Sequence, residues 1–213
     1  MSLILDHVFV LTDPPALVAD ALLQIGLVEG RANVHAGQGT SNRRFFFDDF
    51  AVEFLYISDK NEALNGAGKV LELQQRHASA SASPFGVIVR STDHAHPPTF
   101  SSWLYQPDYF PANMSFYVGA NSHNALEPLC ICMPPLLPKK KQSEPIDNSQ
   151  WTLTNVQMHV PVKSPSCVLR QFAKVQKIQM VYDQTHNMTL TFNHGALNKR
   201  HSLLPELPLT LEW

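Results

Sequence analysis

Leu3-Ile4-Leu5-Asp6-His7-Val8-Phe9-Val10-Leu11 is followed at once by Thr12-Asp13-Pro14-Pro15. The nine residues are apolar apart from Asp6 and His7, a pattern that predicts a strand covered on both faces. Asp13 is a good N-cap and Pro14 suits a first helical position, so Ala16 to Leu23 is predicted to form a helix with an apolar side, ending at Gly26. Leu27–Gly30 reads as a short strand and Arg31 to Asn42 as a polar stretch. Arg43–Phe47 reads as a strand, Asp48-Asp49 as a turn, and Phe50–Ile57 as a fourth strand. Residues 3–57 therefore spell β-α-β-β-β.

The same order recurs twice, in altered form. Lys60 to about His77 reads as helical and Ala78 to Ser83 as a small-residue linker. Strands are then expected at Phe85–Val89, Phe100–Tyr105, Met114–Val118 and Leu129–Met133. This second unit, 84–133, is reduced, because Thr92 to Pro98 is too short and proline-rich for a full helix. Residues 134–149, with Lys139-Lys140-Lys141, read as a solvated linker rather than a dock for an acidic partner. Trp151–Val160 opens a third unit, 150–213. There Ser164-Pro165 repeats the cap-plus-proline start, and Val168, Leu169, Phe172 and Val175 stand at helical spacing. Ile178–Tyr182, Met188–Phe192 and Leu207–Trp213 supply its strands. Element order repeats even where residues do not.

Bulk properties narrow the function classes. With 213 residues, 44% of them hydrophobic, the chain is long enough to bury a sizeable core. A net charge of -2 gives no general attraction to nucleic acid or an anionic membrane. No stretch approaches the ~18 apolar residues of a membrane span. Met1 to His7 lacks the basic start and apolar core of an export signal. Cys130, Cys132 and Cys167 are an odd set, read as packed thiols rather than a disulfide framework. The expected location is cytoplasmic.

Two residues stand out chemically. His7 lies in an apolar strand and so does Glu53, and a buried carboxylate has to be answered by a metal, a histidine or an arginine. Imidazole plus carboxylate is half a site for Zn²⁺, Ni²⁺, Mn²⁺ or Fe²⁺; a His7–Glu53 hydrogen bond or a Glu53–Arg pair would serve equally. Arg43 and Arg44 alternate faces, so one of them points inward. Asn33 to Arg44 combines two glycines with many hydrogen-bonding side chains before a strand. It lacks the Gly-Lys-Ser/Thr ending of a nucleotide phosphate loop, and His35 there is a third ligand, a donor to a bound molecule or a plain loop residue. Trp103 and Tyr105 share a strand face, either lining a pocket or packing a core.

Leu5-Asp6-His7-Val8, His35-x-Gly37-x-Gly39-Thr40-x-Asn42 and Glu53-Phe54-Leu55 resemble the glyoxalase-like domain of the vicinal oxygen chelate superfamily. Ser83-Pro84-Phe85-Gly86-Val87 and Trp103-x-Tyr105-x-Pro107-x-Tyr109 are similar to the second part of such proteins. The resemblance covers residues 3–133, and 151–213 loosely. It implies an α+β fold in which repeated β-α-β-β-β modules form a curled sheet, an incomplete barrel, over 1–133, with the third module packed on it. It further implies a divalent metal on His7 and Glu53, with His35 as a further ligand and Glu53 as the catalytic group. A small oxygen-bearing molecule would then be bound by Thr40, Asn42, Arg44, Phe85, Trp103, Tyr105 and Tyr109. Lyase, isomerase and dioxygenase chemistry all suit such a site, and metal-free sequestration of a ligand is the alternative. The second His/Glu pair of the family is missing: Phe85 to Val89 holds no histidine, and His159 with Glu212 aligns one residue out of step. Three modules leave one without an internal partner, which points to a homodimer.

Overall fold

A computed structural model describes residues 2–92, 97–112, 114–133 and 148–213. Most of the expected reduced helix and nearly all of the linker, the three lysines included, lie outside the described residues. The larger sheet has eight strands: β1 (Leu3–Leu11), β2 (Gly30–His35), β3 (Thr40–Phe46), β4 (Ala51–Ile57), β5 (Phe85–Ser91), β6 (Ser102–Tyr105), β7 (Phe116–Gly119) and β8 (Leu129–Met133). Their order is β2-β3-β4-β1-β5-β8-β7-β6. Outward from the centre, the sequence β1-β4-β3-β2 on one side is matched by β5-β8-β7-β6 on the other. β1 runs parallel to β4, β5 runs parallel to β8, and β1 meets β5 antiparallel. The smaller sheet comprises β9 (Leu153–Val160), β10 (Ile178–Tyr182), β11 (Asn187–Phe192), β12 (Arg200–Ser202) and β13 (Leu209–Glu212), in the order β10-β9-β11-β13-β12. The helices α1 (Asp20–Gln24), α2 (Lys60–Asn65), α3 (Leu73–Ala78) and α4 (Cys167–Phe172) are short. The fold is thus mixed α/β, with two unclosed sheets and few helices. No described helix is long and apolar enough to cross a membrane.

Strand alternation assigns the two faces of the larger sheet. Val8, Val10, Val52, Phe54, Phe85, Val87, Val89, Cys130 and Cys132 point one way, into a core completed by Val156, Met158, Leu190, Phe192 and Leu211 of the smaller sheet. The rings of Phe47 and Phe192 meet there at 4.6 Å, and those of Phe100 and Phe172 at 5.3 Å. Phe9, Leu11, Leu55, Ile57, Ile88, Leu129 and Ile131 point the other way, into a second apolar layer. Burying such side chains is the main driving force, about 1.5–3 kcal/mol for each one fully buried.

Several expected boundaries move. The helix after β1 starts at Leu17, not beside Asp13, because the chain turns through 13–15 and Ala16 takes a left-handed conformation (φ 62°). The second and third strands are Gly30–His35 and Thr40–Phe46 rather than Leu27–Gly30 and Arg43–Phe47. β2 is an edge strand exposed over residues 31–34, so it carries no apolar pattern to read. The long helix expected over 60–77 is broken at Gly66 and at Glu72, which is left-handed (φ 54°). Ser166, not Ser164, caps α4 by accepting from the Leu169 amide. The third unit keeps the expected element order apart from the added β12, but not the strand pairing. Its first strand pairs parallel with its second, β10, whereas in the first unit β1 pairs parallel with the last strand, β4.

Candidate functional site

The second apolar layer lines a cavity of about 260 Å³ on the concave side of the larger sheet, to which all eight strands except β6 and β7 bring charged, polar or aliphatic residues, and those two bring Tyr105 and Phe116. Its apolar part includes Phe9, Leu55, Ile88, Leu129 and Ile131. Its polar part gathers Asp6, His7, His35, Gln38, Arg44, Glu53 and Arg90.

Asp6 and His7 both line the cavity although they are adjacent on a strand. The cause is a β-bulge: Leu5 faces Val89 on β5 but His7 faces Ile88, so β1 carries one extra residue there. A bulge of this kind re-aims side chains and is common beside functional sites. Arg90 donates to Oδ2 of Asp6. Oδ1 of Asp6 lies 2.6 Å from Nδ1 of His7, and Nε2 of His7 lies 4.0 Å from Oε1 of Glu53. Burial opposes ionisation of Asp6, but the hydrogen bond from His7 and the charge of Arg90 prevail and hold its pKa down at about 2. Burial likewise favours neutral His7, yet the Glu53 and Asp6 carboxylates outweigh it and raise the imidazole above its ordinary value.

A second polar cluster sits at the rim. The turn between β2 and β3 needs positive φ at Gly37 (79°) and Gly39 (73°). Gly39 is pinned to α2: its amide donates to Glu62, and its carbonyl accepts from Ser58 and Asp59. Gly39 thus docks the turn against a helix, with its amide taken up by Glu62. Oγ1 of Thr40 lies 2.9 Å from Nδ1 of His35 and accepts from Nε2 of Gln38 at 2.8 Å. Burial lowers the pKa of His35, keeping the ring neutral. Oε1 of Gln38 accepts from the hydroxyls of both Tyr105 and Tyr109, each at 3.2 Å. The His35 and Tyr109 rings lie 5.0 Å apart.

Among the expected site residues, His7, His35, Arg44, Glu53, Tyr105 and Tyr109 line the cavity. Arg44 is the inward one of its pair, directly opposite Glu53 in the β3–β4 register and stacked over Phe46, while Arg43 points outward to Glu29 and Asp20. Thr40 and Asn42 are buried behind the lining, with Thr40 holding His35 and Gln38 and Asn42 accepting from the Asn33 amide. Trp103 packs against the cavity-side apolar layer and donates to Ser122. Phe85 lies on the opposite face, in the core shared with the smaller sheet, because its parity on β5 differs from that of Ile88 and Arg90. His159 and Glu212 are not brought together: His159 faces Asp183 at 2.9 Å and Glu212 faces Arg200 at 3.8 Å. Sequence reasoning passed over Asp6, Gln38 and Arg90. Asp6 and Arg90 carried the same signal as Glu53, a charge in an apolar strand; Gln38 carried none.

His7 and Glu53 can offer a divalent cation one nitrogen and one carboxylate, with Asp6 placed to orient the imidazole. A resident transition-metal ion needs more. His7 pairs with Ala51, two residues before Glu53, and Ile88 pairs with Ile131, two residues before Met133. The sheet's internal symmetry therefore puts Ile88 and Met133 where a second His/Glu pair would stand. Among the described residues no three His, Cys, Asp or Glu side chains gather as a metal requires, and His35 does not join the pair. His7 and Glu53 thus offer a cation two protein ligands, fewer than the three or four of a typical zinc site.

No protein-family model matches the chain, and no curated protein does. Among solved structures it is similar to a hypothetical protein from Staphylococcus aureus, with a TM-score of 0.61 at 11% identity over 99% of both chains. It is also similar to hypothetical protein BH1468 from Bacillus halodurans C-125, with a TM-score of 0.44 at 12% identity over 68% of this chain and 100% of that one. The first likeness shows a shared fold along the whole chain.

Proposed function

We propose that this is a glyoxalase-like protein of the vicinal oxygen chelate type that binds a small, partly apolar, oxygen-bearing molecule in the cavity and acts on it through His7 without a resident metal. The strand order, repeated on either side of the β1–β5 junction, supports the fold assignment. The observation that carries the functional reading is the Asp6–His7 pair, 2.6 Å apart, with the far ring nitrogen facing Glu53 across the cavity. Asp6 fixes the ring, and His7 in its charged form presents an N–H to a ligand oxygen. Glu53 beside it accepts a proton. An acid and a base side by side suit proton transfer next to a carbonyl, the step shared by isomerases and lyases. The aliphatic and aromatic lining accommodates the rest of the ligand.

The test is a thermal-shift screen of dicarbonyls, enols and catechols against chelator-treated wild type, His7→Gln and Glu53→Gln. Stabilisation of the wild type that both variants lose supports the reading; equal stabilisation of all three removes His7 and Glu53 from the site. A metal-dependent enzyme is the second reading, favoured by the carboxylate-oriented imidazole. About one equivalent of transition metal in gently purified wild type, absent from His7→Ala, would establish it instead.

A further inference from the structure

Among the described residues, the larger sheet ends at two edge strands, β2 and β6, which no strand pairing joins. They nevertheless meet over the cavity. Gln38, next to β2, takes hydrogen bonds from Tyr105 at the end of β6 and from Tyr109 in the loop beyond it. Tyr109 also lies against His35, the last residue of β2. Asp108 fits against Gly37 so closely that a Cβ there would fall 2.3 Å from its carboxylate. The neighbouring strands of the wall are stitched to one another by backbone ladders. Here it is closed by two neutral hydrogen bonds of 3.2 Å and two ring or side-chain contacts.

We propose that this seam is the gate of the cavity, and that a ligand enters and leaves when Gln38 parts from Tyr105 and Tyr109. The proposal rests on the cavity being the binding site. Both tyrosine hydroxyls are held neutral by burial and so remain donors over the ordinary pH range. Their shared acceptor makes Gln38 the single point at which both bonds are lost together.

Two measurements test it. Val34 on β2 and Leu104 on β6 are 75% and 62% exposed, so nitroxide labels can replace them at Val34→Cys and Leu104→Cys in a Cys167→Ser background. Pulsed electron resonance then reads the width of the seam without any ligand. Gln38→Ala, and separately Tyr105→Phe with Tyr109→Phe, should add a population at longer distance. Stopped-flow fluorescence with 2-naphthol, a ring bearing one oxygen, reads exchange. Both association and dissociation should quicken by about fivefold to tenfold in Gln38→Ala, as expected for loss of a pair of neutral hydrogen bonds. Coincident distance distributions, or wider ones with unchanged rates, overturn the gate and leave the cavity reading standing. Binding of 2-naphthol that survives filling the cavity with Ile131→Trp overturns the cavity reading, and the gate with it.

Discussion

Nδ1 of His7 lies 2.6 Å from Oδ1 of Asp6, its neighbour in the chain, because the bulge in β1 turns two consecutive residues into the same cavity. Without the extra residue one of them would point into the opposite core. The bulge thus makes an oriented imidazole from a dipeptide, and Arg90 on β5 fixes the carboxylate from the other side.

The pair makes stability depend on pH in two opposite ways. Asp6 ionises at about 2 in the folded protein against an ordinary 3.8. Its contribution, about 2 kcal/mol, is present above pH 4 and is lost as pH falls toward 2. His7 is raised, so its contribution is full below its ordinary value of 6.5 and is lost as pH climbs through the folded value. Asp6→Asn should remove the acid-side loss and shrink the alkaline one. Urea unfolding of both proteins between pH 3 and pH 9 reads this; parallel curves would show that Asp6 and His7 are not coupled.

Completing the second pair should create a metal site. Ile88→His with Met133→Glu places a further imidazole and carboxylate at the positions related to His7 and Glu53 by strand register. The double variant should retain about one equivalent of zinc or nickel by elemental analysis, as four donors suffice for a closed site. Glu53→Gln added to it should release the metal. Retention that ignores Glu53 would place the ion elsewhere.

Gly39→Ala should be far more damaging than Gly37→Ala. Both need positive φ, but a Cβ at Gly39 would fall 2.3 Å from the Ala63 amide nitrogen and 2.4 Å from the Asp59 carbonyl, backbone that cannot yield. At Gly37 its three nearest neighbours all belong to the Asp108 side chain, which can swing away. We expect roughly 3 kcal/mol or more for Gly39→Ala and about 1–2 kcal/mol for Gly37→Ala by denaturant titration. Equal costs would mean that the turn re-forms away from α2.

Glu127 is fully buried and joins the sheets. It accepts from Asn121 at 3.0 Å and from both the amide and the hydroxyl of Ser166 at 2.7 Å, at the start of α4. Glu127→Ala strands three donors, at a cost of about 3 kcal/mol, or a melting point lower by roughly 6–12 °C. Calorimetry checks this; a drop of only a degree or two would mean that water replaces the carboxylate.

The strands that form the cavity floor were legible because they are apolar runs: β1 and β8 fall where the sequence puts them, and β4 to within a residue. Glu53 and His7 were legible for the same reason, as charges with no business in such runs. Asp6 showed the same charge in the same run, but only the bulge, which the sequence does not display, turns it into the cavity beside His7. β2 was hidden because an edge strand exposed over 31–34 has no apolar face to display. Phe85 was misplaced because a strand hydrophobic on both faces does not reveal which face is concave. Gln38 was invisible, since its role depends on Tyr105 and Tyr109, 67 and 71 residues away.

The back of the cavity wall and the smaller sheet share one core, with Val8 and Val52 packed in the same cluster as Leu190 and Phe192. The two sheets should therefore melt as a single cooperative unit, and a ligand bound at His7 would draw the whole unit toward the folded state. Slowed amide exchange at Leu190, a residue no ligand can touch, becomes a reporter of occupancy at the far side of the molecule. By the same coupling, inherited damage to the smaller sheet would surface as a shortage of working sites, with the cavity itself unaltered.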